Sequence, residues 1–80
     1  MHLKAKLAVL TEQDINGLSK DQLGYLRNEI FARHGHTFKT PKMKNYFVKQ
    51  EWYFEVVADA LPYLNELEKQ NIDFIKKREG

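Results

Sequence analysis

The chain has 80 residues, 9.5 kDa, 42% hydrophobic and 30% charged, with a formal net charge of +2 and no cysteine. These figures describe one small domain and exclude disulfide and thiolate chemistry. A chain this short hides only about 63% of its extended surface on folding, so its core is thin and each packed ring counts. Nothing approaches the run of about 18 apolar residues that a membrane helix requires, and the opening residues are too few and too charged for a secretory leader.

In chain order, residues 1–10 read as an extended or flexible lead-in, because the weak alternation from Lys4 to Leu10 has no partner strand elsewhere. Residues 11–80 read as a single all-α domain of three main helices plus a short N-terminal one. Thr11 with Glu12 and Asp14 behind it starts the short helix, and Gly17 closes it. Ser19 and Gln22 form a capping box for a helix over residues 20–34, which Gly35 ends. Thr40 followed by Pro41 opens a third helix that runs to Gln50 or Trp52 and buries Met43, Tyr46 and Phe47. A looser stretch through Pro62 follows. Asn65 then caps a last helix with Glu66 and Glu68 in its first turn and Lys76, Lys77 and Arg78 at its end, an order that suits the helix dipole.

At 100° per residue, Leu23, Leu26, Ile30 and Phe31 share one side of the second helix, and Arg27 and His34 fall on that same side. The stripe of the last helix, Leu64, Leu67, Phe74 and Ile75, contains Asn71 and has Glu68 at its margin. An unpaired buried guanidinium would cost several kcal/mol, so Arg27 is expected to meet Glu68, with Asn71 and His34 completing a structural polar cluster. In that cluster His34 is tied to the terminal carbonyls of its own helix.

The string LRNEIFARHG over residues 26–35, then Phe38, YF at 46 and 47, WY at 52 and 53 and a closing LNELEKQNIDFI resemble the YARHG domain of bacterial proteins. The resemblance covers about residues 10–78, and its signature falls on Phe31, Ala32, Arg33, His34 and Gly35, with Phe31 in place of the tyrosine. It implies a small extracytoplasmic module that accompanies lipoproteins, peptidases and kinases, and it assigns no molecular activity.

Catalytic and metal sites find little support. His34 and His36 flank Gly35, but a left-handed glycine sends two rings in unrelated directions and no third ligand stands nearby, so neither metal nor cofactor is expected. Here His34 caps the helix and His36 is exposed. Ser19, the only serine, is engaged as an N-cap, and Glu29 with Arg33 makes a surface pair at i, i+4. The domain is therefore expected to be non-catalytic.

Charge supplies the remaining signal. Residues 30–50 hold Arg33, Lys39, Lys42, Lys44 and Lys49 and no acidic residue, +5 within a chain of +2. Lys42, Asn45 and Lys49 share the outward face of the third helix beside Lys39, a solvated face or a docking stripe for an anionic partner. Eight of the ten aromatics lie between Tyr25 and Phe54, where a thin core needs them, yet Trp52, Tyr53 and Phe54 are consecutive and one of them must face outward. The expectation is a binding module of a bacterial cell-envelope protein that recognises an envelope polymer or protein partner through Lys39, Lys42, Asn45, Lys49 and Tyr53. A nucleic-acid-binding helical domain is the alternative, weakened by a turn too long for a helix-turn-helix.

Overall fold

The computed structural model describes residues 9–80, so the expected lead-in, except Val9 and Leu10, lies outside the described residues. Four α-helices follow in chain order: α1 (Glu12–Ile15), α2 (Lys20–Ala32), α3 (Pro41–Val48) and α4 (Glu66–Glu79), with a 3-10 turn at Leu61–Tyr63. The fold is a small all-α domain. Capping chemistry sets the starts of the two long helices. Ser19 accepts the Gln22 N–H while the Gln22 side chain accepts the Ser19 N–H, and Asn65 and Glu68 repeat the exchange at α4.

The helix α3 ends at Val48, earlier than its sequence pattern suggests. The Gln50 N–H turns back to the Phe47 carbonyl and the Tyr53 N–H to the Gln50 carbonyl, so the chain leaves the helix in successive turns. Of the face expected to be buried, Phe47 is wholly enclosed and Met43 half-buried, while Tyr46 lies at the surface with its ring stacked on Tyr25 at 4.1 Å.

The core is two clusters. Leu23, Leu26 and Ile30 of α2 meet Leu64, Ile72 and Ile75, with Leu10 and Ile15 closing one end. Ala32, Phe38 and Phe47 form the second, with Met43, Trp52 and Tyr53 packed around it. Phe31 packs against both and joins them. The helices α2 and α4 run antiparallel: His34, just past the end of α2, reaches Glu68 near the start of α4, and Arg27 reaches Glu79 near its end.

Candidate functional site

The signature turn at residues 31–35 holds the rest of the surface in place. The Gly35 N–H donates to the Ala32 carbonyl at 2.9 Å and the His36 N–H to the Phe31 carbonyl at 3.3 Å, the two bonds of a Schellman closure with Gly35 at φ +79°. The Gly35 carbonyl then accepts the N–H groups of both Val56 and Val57, at 2.8 and 3.1 Å, and Thr37 donates its N–H to the Val57 carbonyl at 3.0 Å. A Cβ on Gly35 would lie 2.6 Å from the Cβ of Val56 and 2.9 Å from the Phe54 carbonyl oxygen. Glycine is therefore needed twice, for the left-handed backbone and for the room the incoming segment takes. The sequence marks Gly35 as a helix terminator; its second task, docking residues 54–57, depends on a chain segment some twenty positions away.

The polar residues are brought together differently from the expected cluster. Arg27 does not meet Glu68; its Nε and Nη2 reach the Glu79 carboxylate at 2.6 and 3.1 Å. The His34 ring does not bind the carbonyls of its own helix; its Nε2 lies 2.8 Å from Glu68 Oε2, while the other oxygen of Glu68 accepts the Asn65 N–H. One buried carboxylate thus caps α4 and ties it to the end of α2. Asn71, also buried, accepts the Leu10 N–H at 2.9 Å. The Glu29–Arg33 pair is not a simple surface pair: Glu29 is buried, and the Arg33 guanidinium lies 3.8 Å from the centroid of the Trp52 ring, a cation–π contact that fastens residue 52 to α2.

The two histidines of the turn diverge. His36 is not exposed: its ring packs between Phe31 and Phe38, and its Nδ1 accepts the Ala60 N–H at 3.0 Å. No group of three or more His, Asp or Glu side chains that could hold a metal occurs among the described residues.

The residues singled out for binding separate into two sets. Lys39, Asn45 and Lys49 are exposed. Lys42 turns back toward α2, where Asp21 accepts from it at 2.8 Å and the Tyr25 ring lies 5.6 Å away. The hydrogen bond to Asp21, followed by the field of the same carboxylate, raises the Lys42 ammonium above its ordinary value. Tyr53 belongs to the second core cluster and donates its hydroxyl to the His36 carbonyl; burial, then the nearby Glu55 charge, pushes its phenol up. The outward ring of the aromatic triplet is Phe54. With Val56, Leu61 and Tyr63 it makes a segment whose large apolar side chains are 72, 74, 51 and 63% exposed. The sequence reading places Tyr53 at the binding face, and the structure corrects this, with Trp52 and Tyr53 packed inward and Phe54 outward, because the ring of Tyr53 completes the second cluster. Val56, Leu61 and Tyr63 carry no signal in the sequence because nothing local distinguishes an exposed apolar loop residue from a buried one.

No helix among the described residues is long and apolar enough to cross a membrane. In comparison with known proteins, the family model described as YARHG domain matches residues 1–80, the whole chain. No curated protein and no solved structure matches it.

Proposed function

Because the chain belongs to the YARHG domain family over its whole length, we propose that it is a non-catalytic binding module of a bacterial cell-envelope protein, working outside the cytoplasmic membrane. Its partner is an envelope polymer or an envelope protein. The docking surface is the segment carrying Phe54, Val56, Leu61 and Tyr63, with the exposed Lys39, Asn45 and Lys49 as its basic and polar contribution.

The observation that carries this reading is the exposure of four large apolar side chains on a segment whose backbone is pinned to the signature turn. Exposed apolar residues scattered singly are ordinary, but a held row of them lowers the ordering cost of association. The lysines add attraction for an anionic partner and faster encounter, an effect that salt weakens. Lys42 and Tyr53 take supporting roles: one ties α3 to α2, and the other sets the loop from behind.

Amide NMR titration with peptidoglycan fragments, an anionic glycopolymer and a short DNA duplex, at low and physiological salt, tests the proposal. Saturable shifts from an envelope fragment over residues 39–63 that survive physiological salt are expected, and Phe54→Ser with Val56→Ser should weaken them about tenfold or more. Movement with DNA alone would replace this reading with the nucleic-acid alternative.

A further inference from the structure

A cleft of about 570 Å³ opens between α2 and the turn that leads into α3, within the range of pockets that take small ligands. Its apolar lining comes from Phe38, Met43 and Ala58; on the polar side Asn28 and Thr37 spend donors on the Gly24 and Val57 carbonyls, which leaves Arg27, His36, Lys39 and Thr40 as the donors to consider. Arg27 lines the cleft with its Nε and Nη2 held by Glu79, which leaves Nη1 as its uncommitted donor. Lys39 has no partner among the described residues, and the Thr40 side chain makes no capping bond to its helix. His36 contributes one more donor. Its Nδ1 accepts the Ala60 N–H, so the proton of the neutral ring resides on Nε2. Two carboxylates stand against these: Glu79, taken up by Arg27, and Asp59, whose Oδ1 is engaged by the Leu61 N–H and whose Oδ2 is open.

We infer that this cleft is a binding site for a short peptide with a free C-terminal carboxylate. The donors of Arg27, Lys39, His36 and Thr40 match a carboxylate, Asp59 offers an acceptor for a peptide N–H, and the apolar lining takes a small side chain between them. Two of the four donors are fixed before any ligand arrives: Glu79 clamps Arg27, and Phe31 and Phe38 hold the His36 ring. Such fixing keeps the ordering cost of binding low. The site uses none of the exposed apolar residues of the proposed docking surface and shares only Lys39 with it, so the two assignments stand or fall separately.

The test is a titration of the 80-residue domain with N-acetyl-Ala-Ala-Ala, its C-terminal amide and glucuronate at millimolar concentration, read by amide NMR shifts. The expected result is saturable movement at residues 27–28, 36–43 and 58–59 with the free acid, and binding about tenfold weaker for the amide, the loss of one charge-assisted contact. Lys39→Ala should weaken the acid by a similar factor and leave the amide unchanged, while Lys77→Ala on α4 should alter neither. Equal binding of acid and amide, or no saturable shift at all, overturns the proposal. Equal binding of glucuronate overturns the peptide assignment. Shifts confined to residues 54–63 also overturn it, while favouring the docking surface.

Discussion

Arg27 shows what a helical wheel can and cannot decide. It places Arg27 on the inward face of α2, and the residue does find a carboxylate there, but a wheel has no axial coordinate. Antiparallel packing sets the start of α4 beside the end of α2. At about 1.5 Å rise per residue, position 27 lies about 10 Å from the level of position 34, so Glu68 goes to His34 and Arg27 to Glu79. A double-mutant cycle on Arg27 and Glu79 should give a coupling of roughly 0.5–1 kcal/mol, modest because both side chains are partly exposed, and a cycle on Arg27 and Glu68 should give none. The raised phenol of Tyr53 has a pH signature. Its neutral form is favoured by the folded state, so that contribution to stability is complete below the ordinary tyrosine value of 10.0 and is lost as pH rises through the higher folded value. Thermal melts should therefore fall off more steeply above that pH for the wild-type domain than for Tyr53→Phe. The variant should itself lose about 1 kcal/mol at neutral pH with the hydrogen bond to His36.

Among the elements, those stabilised by nearby residues were legible and those stabilised by distant ones were not. The capping boxes at Ser19 and Asn65 announce α2 and α4 because each is complete within four residues. The segment after α3 has no such signal, since its order comes from the carbonyl of Gly35 and from Ala60 bonding to His36. Substituting Gly35→Ala should therefore do more than fray one helix end: with both the left-handed backbone and the clash against Val56, a loss of about 3 kcal/mol or more is expected in chemical denaturation. Gly24 makes the opposite case within α2. An added Cβ there would meet Met43 Cε at 3.7 Å and Glu79 Oε1 at 3.8 Å, ordinary contacts, so Gly24→Ala should raise stability by about 0.5–1 kcal/mol in the same measurement.

At the scale of the whole molecule, the sequence made the class and the thinness of the core plain but not its division into two clusters. Aromatic density between positions 25 and 54 marks that stretch as core without telling which rings meet. Phe31 is the ring common to both clusters, so truncating it opens a cavity at their junction. Phe31→Ala should cost about 2–3 kcal/mol, less than for a fully enclosed ring because Phe31 is only partly buried, and the loss should appear in the signals of Ile75 and Phe47 alike. The exposed row at Phe54, Val56, Leu61 and Tyr63 was less legible than the fold for a related reason: it consists of side chains left over by packing, and only the packed structure shows which those are.

The two amides held by the Gly35 carbonyl separate two properties that usually travel together. Val56 offers solvent most of its side chain while its N–H is already bonded inward, so its proton should exchange with deuterium slowly despite its exposed position. A partner covering Val56 would then add little protection, and deuterium footprinting would pass over that part of the contact. Covalent labelling of the side chains would register it.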